Sequence, residues 1–208
     1  MTSLPSIRAV TFDVGGTLIE PWPSVGHVYS AVAAQHGVSV APEVLNRQFA
    51  AAWRTKKDFS HRRSDWSELV DATFTGLVET PPSRTFFSTL YDAFASPRAW
   101  RIYDDVLPIL DHLRNRGVKL GIISNWDERL RPLLRELKLD GWFDAVGISA
   151  EIGQSKPSQL IFRSVAELLQ VEAASILHIG DSLAEDFEGA RAAGFQAMLI
   201  EGEGGVRG

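Results

Sequence analysis

The chain has 208 residues, 45% hydrophobic and 23% charged, a globular composition whose length suits one core domain with a smaller insert. Its formal net charge of -5 excludes the basic surface that general nucleic-acid binding needs, and the absence of cysteine excludes disulfides, thiolate metal sites and cysteine nucleophiles. An anionic ligand would need local help, from a metal ion or a few lysines and arginines.

In chain order, Ile7 to Phe12 is an apolar, partly β-branched run that reads as a buried strand, and Asp13 stands where it stops. The pair Gly15-Gly16 makes continued strand costly, so Asp13 is presented at the C-terminal edge of a sheet, where open α/β sheets bind ligands. Ile19-Glu20-Pro21-Trp22-Pro23 reads as a loop. From Val25 to about Ala95, apolar residues recur at helical spacing, with breaks at Gly37-Val38, Ser60-His61 and Thr80-Pro81-Pro82. The pattern predicts four helices and no strand, a helical-bundle insert over 20–96 between the two parts of a core, 1–19 and 97–208.

Strand and helix then alternate. Helices are expected over Val106–Arg116, Asp127–Leu137, Ser158–Leu169 and Leu183–Ala193, with strands over Lys119–Ser124, Phe143–Ile148, Ile176–Ile179 and Ala197–Ile200. Such alternation implies right-handed crossovers and a Rossmann-like parallel sheet covered on both faces, an α/β fold. The first residues, Met1 to Ser6, lack a basic stretch followed by an apolar one, and no later run is long enough to span a bilayer. The expected setting is cytoplasmic, without membrane or nucleic-acid partners.

The chemistry-bearing residues recur at equivalent places in successive βα units. Asp13, Ser124, Lys156, Asp181 and Asp186 all lie at or just beyond strand ends. Taken singly, each has a plainer reading: a turn carboxylate, a helix cap, a surface lysine. Their order is what weighs against that. Carboxylates meeting in one crevice repel unless a cation or proton sits between them, and an all-oxygen donor set points to Mg²⁺. Ser124 offers a hydroxyl at a strand-to-helix turn, and Lys156 a point charge that can pair with both Asp13 and a bound anion.

With Asp13-Val14-Gly15-Gly16-Thr17-Leu18, Ser124-Asn125, Gly153-Gln154-Ser155-Lys156-Pro157 and Gly180-Asp181-Ser182-Leu183-Ala184-Glu185-Asp186 in this order, the chain resembles the haloacid dehalogenase superfamily. Ser124 to Leu130 is similar to its HDHD3-like (REG-2-like) branch, and the insert resembles the superfamily's C1 cap. The resemblance implies a core strand order of 5-4-1-2-3 and a hydrolase acting through an aspartyl nucleophile on a small anionic substrate, most simply a phosphorylated metabolite. It implies that Asp13 is that nucleophile and that Asp13, the Gly15 carbonyl, Asp181 and Asp186 hold Mg²⁺. Thr17, Ser124 and Lys156 would contact the transferring group, with Gly16 and Asn125 beside them on the substrate, in a monomer or homodimer.

One departure stands out. Phosphatases of the superfamily carry a second carboxylate two residues after the nucleophile, which protonates the leaving alkoxide, and here that position is Gly15. General acid–base help is typically worth ~10²–10⁴-fold. Four readings stay open. One is a weakened phosphatase that needs an acidic leaving group, or borrows Glu20, His27 or a cap residue as its acid. A second is a phosphonatase that uses Lys56 or Lys57 to form a Schiff base. A third is a dehalogenase, since halide leaves without a proton, and the fourth is a catalytically impaired binding protein.

The basic run Arg54 to Arg63 is either a solvated helix end or a patch that attracts an anion. Trp22, Trp53, Trp66 and Trp126 suggest an aromatic pocket, against the plainer reading of core packing. His178, inside a buried strand, reads as a satisfied core histidine.

Overall fold

In the computed structural model, which describes residues 6–56 and 59–200, the first apolar run forms β1 (Ala9–Phe12), every residue of it buried. Beyond the turn at 13–18, three residues expected as loop form β2 (Ile19–Pro21), followed by α1 (Val25–Gln35), α2 (Pro42–Thr55), α3 (Arg63–Thr73) and α4 (Phe87–Ala93). β3 (Trp100–Ile102), also unforeseen, pairs with β2 in a two-stranded ribbon. Prolines oppose a helix at 19–23, yet a three-residue edge segment loses little by containing one.

The remaining elements alternate: α5 (Val106–Asn115), β4 (Lys119–Ser124), α6 (Leu130–Glu136), β5 (Ala145–Ile148), α7 (Ser149–Ile152), α8 (Gln159–Leu169), β6 (Ile176–Gly180), α9 (Gly189–Ala192) and β7 (Gln196–Leu199). The sheet order is β5-β4-β1-β6-β7 with every pair parallel, which is the expected order once the ribbon strands are set aside. β1 is therefore central, flanked by strands that begin more than a hundred residues later.

Two compact units result. Residues 1–19 and 102–208 form one, and 20–101 the other, so the chain leaves and re-enters within β2 and β3. In the α/β unit, Ile161, Phe162, Val165 and Leu169 of α8 pack with Ile123, Ala145 and Ile176 of the sheet. Each such side chain contributes about 1.5–3 kcal/mol by leaving water. In the helical unit, Tyr29, Val32, Leu45, Val70, Phe74, Phe86 and Leu90 make a separate core. There Tyr29 stacks on Phe74 with ring centroids 6.0 Å apart. Among the described residues, no helix is long and apolar enough to cross a membrane.

Two helix starts differ from the sequence reading. α6 begins at Leu130 rather than Asp127, because the Asp127 carboxylate accepts from Arg129 Nε at 2.8 Å and Nη2 at 2.6 Å and ties the chain into a tight loop. The expected helix over Leu183–Ala193 opens instead as a wider π-helical turn, Leu183–Glu188, before α9. Ser182 caps that turn by accepting from Glu185 N.

Candidate active site

Parallel strands all point their C-terminal ends to one edge of the sheet, and the candidate residues gather there. Asp13 follows β1 directly, its N–H donating to Ile179 O of β6 at 2.9 Å. Ser124 is the last residue of β4, and Asp181 follows β6. Lys156 stands between α7 and α8, and Asp186 lies inside the π-helical turn.

These groups bond directly. Lys156 Nζ donates to Asp13 Oδ1 at 2.6 Å and to Asp186 Oδ1 at 2.5 Å, and Ser124 Oγ donates to Asp13 Oδ1 at 2.9 Å. Asp13, Ser124, Lys156 and Asp186 are all buried. Carboxylate oxygens of Asp13, Asp181 and Asp186 lie within 4.8 Å of one another. Burial pushes Asp13 up, against the pull of Lys156, and pushes Asp181 up to about 7, with Asp13 and Asp186 adding to that rise. Burial alone would lower Lys156, but the two carboxylates outweigh it and hold the ammonium protonated. Burial also works against ionised Asp186, yet Lys156 and the bond from His178 hold its carboxyl well below the usual range.

The charge count follows. One ammonium faces three carboxylates, which leaves two negative charges unbalanced when all three are ionised, and that excess adds to burial in raising Asp181. A hard divalent cation with oxygen ligands fits that excess. Thr17 is buried as well, and among the described residues its Oγ1 has no hydrogen-bond partner, an orphaned hydroxyl in the turn after Asp13.

The turn itself is set by glycine. Val14 O accepts from Leu18 N at 2.8 Å and Ile19 N at 3.0 Å, and Gly16 sits at φ 77°, a left-handed conformation costly to any residue with a Cβ. Gly16 N donates to Ile19 O at 2.9 Å, so this amide, expected on the substrate, closes its own loop. Asn125, expected there too, is also engaged within the protein. Its Oδ1 accepts from Lys156 N at 2.7 Å, and its Nδ2 donates to Lys156 O and to Glu185 Oε2, both at 3.0 Å. It clamps the backbone that carries the lysine.

Three contacts escaped the sequence reading. His178, completely buried, bridges Thr11 Oγ1 at 2.9 Å and Asp186 Oδ1 at 3.1 Å. Burial lowers its pKa, so the neutral ring donates from Nε2 and accepts at Nδ1. It is satisfied, as expected, but its partner is the site. The signal was two polar residues, Thr11 and His178, at paired positions of two apolar strands. Glu185 joins through Asn125, and burial raises its carboxyl. Trp126, third, lies against Gly15: a Cβ there would stand 3.3 Å from the indole's Cζ3.

The alternative groups have other partners. Glu20 pairs with Arg101, whose guanidinium lies 3.8 Å over the Trp22 ring, and His27 Nδ1 is 2.8 Å from Ser24 Oγ. Lys56 pairs with Glu68 at 3.1 Å, while Lys57 lies outside the described residues. Trp53 and Trp66 stack at 6.0 Å within the helical unit, and Arg63 covers Tyr91 at 4.3 Å, so part of the aromatic and basic inventory is packing.

Residues 7–194 match the family model for haloacid dehalogenase-like hydrolases. The chain is 33% identical to the Bos taurus haloacid dehalogenase-like hydrolase domain-containing protein 3, over 94% of this chain and 82% of that protein, a relative in the branch expected from Ser124 to Leu130. Among solved structures, a HAD phosphatase from Thermococcus onnurineus superposes with a TM-score of 0.67 at 25% identity, covering 97% of this chain and 89% of the other. The L-2-haloacid dehalogenase from Xanthobacter autotrophicus superposes with a TM-score of 0.68 at 25% identity, over 93% and 77%.

Proposed function

Because this chain belongs to the haloacid dehalogenase-like hydrolases, we propose that it is a Mg²⁺-dependent hydrolase of small phosphate esters with Asp13 as nucleophile. The observation that carries this reading is the buried Asp13–Lys156–Asp186 cluster with Asp181 in reach. Asp13, Asp181, Asp186 and the Gly15 carbonyl would hold the ion. When bound, Mg²⁺ neutralises charge on phosphoryl oxygens and keeps the carboxylates ionised.

The chain's own groups do the rest. Asp13 Oδ1 is held by Ser124 and Lys156, which leaves Oδ2 as the oxygen that no described side chain engages. The carboxylate attacks phosphorus, the bond to the leaving oxygen breaks, and water later releases phosphate from the aspartyl group. Lys156 stays protonated throughout and stabilises the equatorial oxygens as they gain charge. Thr17 supplies a hydroxyl that has no partner among the described residues.

A carbon–halogen substrate is the second reading, favoured by Gly15, since halide departs without a proton. One panel decides between them: aryl and alkyl phosphates and 2-haloacids, assayed with Mg²⁺ and with EDTA, for wild type and Asp13→Asn. Phosphate release that EDTA and Asp13→Asn both abolish is the expected result. Halide release that survives EDTA would replace it with the second reading.

A further inference from the structure

Residues 15 and 126 compete for one small volume. A Cβ on Gly15 would lie 3.3 Å from Trp126 Cζ3 and 4.0 Å from Cη2, so even a methyl there would have to push the six-membered ring aside by a few tenths of an ångström. The ring hangs from a fixed backbone. Trp126 N donates to Ser149 Oγ at 3.0 Å, and its carbonyl accepts from Ser149 Oγ at 3.0 Å and from Ala150 N at 3.2 Å. The next residue, Asp127, is locked to Arg129. The indole is itself only half-buried.

This geometry bears on the leaving group. Gly15 is two residues past Asp13, and the groups that touch Asp13 are poor proton donors: the Ser124 hydroxyl, and an ammonium gripped by two carboxylates. We propose that Trp126 is a specificity-determining residue, its ring standing in for a side chain at position 15 and confining turnover to phosphoryl compounds whose leaving group departs as a stabilised anion. Phenolate-like and carboxylate leaving groups meet that demand, and simple alkoxides do not. The inference rests on hydrolysis through Asp13 as proposed above.

The chemistry balances without an acid on the protein. A carboxylate oxygen of Asp13 bonds to phosphorus while the bond to the leaving oxygen breaks, and the electron pair departs with the leaving group. Water then bonds to phosphorus, the bond to Asp13 breaks, and the carboxylate is regenerated. The proton from water leaves with phosphate or passes to solvent.

The test is a leaving-group series: aryl phosphates of graded phenol acidity and one alkyl phosphate, with Mg²⁺, on wild type, Gly15→Asp, Trp126→Ala and the double variant. Wild type should lose about 10²-fold or more in kcat/KM from the most acidic phenol to the alkyl alcohol, the size of a missing general acid. Gly15→Asp alone should recover little of this, and Gly15→Asp with Trp126→Ala most of it. Equal wild-type rates across the series, or full recovery by Gly15→Asp alone, would overturn the proposal. A thermal-unfolding cycle reads the contact independently of activity. Gly15→Ala should lower Tm beside Trp126 and leave it unchanged in the Trp126→Ala background, and equal shifts in both would refute the shared volume. If wild type turns over no phosphate while the cycle still shows coupling, it is hydrolysis at Asp13 that fails, and the substrate restriction falls with it.

Discussion

Lys156 Nζ lies 2.6 Å from Asp13 Oδ1, joining two residues 143 positions apart in a pair almost closed to solvent. The same nitrogen holds Asp186, so one ammonium keeps two buried carboxylates from facing each other unshielded. Removing it strands both charges. Lys156→Met should destabilise the metal-free protein by about 3–5 kcal/mol, read as a lower urea midpoint. Lys156→Arg should not restore it, since a planar fork cannot replace a point charge seated between two oxygens.

Asp13→Asn should preserve the fold and remove the attacking atom. Turnover of an activated aryl phosphate should fall by at least about 10³-fold, with an unchanged far-UV circular dichroism spectrum. A loss smaller than tenfold would point to another nucleophile.

Asp181 gives a pH dependence with a definite sign. Its ordinary value is 3.8, and burial with two neighbouring carboxylates raises it to about 7 in the folded protein. The folded state thus keeps a proton that the unfolded chain has released. That contribution is full below pH 3.8 and fades as pH climbs through about 7. Asp13, also raised, acts in the same direction. In EDTA, Tm should decline between about pH 4 and pH 7, and Asp181→Asn should flatten the decline. Protons and Mg²⁺ compete for the same oxygens, so the rise in Tm on adding Mg²⁺ should grow over that range.

How far these groups could be read from the chain depended on what kind of signal each carries. Asp13, Ser124 and Asp181 announce themselves because a buried strand ending in a polar residue is a local pattern. Alternation points to a parallel sheet, but the order of its five strands comes only with the family resemblance. The link from Thr11 to His178 needs the register of two strands 167 residues apart, which no local pattern encodes. The approach of Trp126 to Gly15 depends on a loop fixed by Ser149 and by the Asp127–Arg129 pair, and α6 starts late for the same reason. β2 and β3 were missed because three residues are too few to show a period.

Asn125 separates positioning from binding. Asn125→Ala removes three hydrogen bonds that hold the Lys156 backbone and Glu185. Activity should fall by about 10–100-fold, the usual cost of losing an outer support. A loss in kcat with KM unchanged fits a clamp on the lysine, whereas a rise in KM alone would return Asn125 to the substrate side.

Gly180→Ala should act at a distance of six residues. A Cβ there would run into the carboxylate of Asp186, which sits against the glycine inside the π-helical turn. Pushed aside, Asp186 loses Lys156 and His178 together. The expected result is a protein of lower Tm whose titration with Mg²⁺ saturates at concentrations about 10–100-fold higher.

The central place of β1 has a consequence for how the molecule comes into being. The strand that ends at Asp13 is made first, yet its neighbours, β4 and β6, leave the ribosome only after residues 119 and 176. Until then the carboxyl of residue 13 has neither its lysine nor its companion acids, and a nascent or truncated chain is chemically silent. The cluster thus cannot assemble until residues 181 and 186 have been made, and a stop codon anywhere before them leaves Asp13 without it.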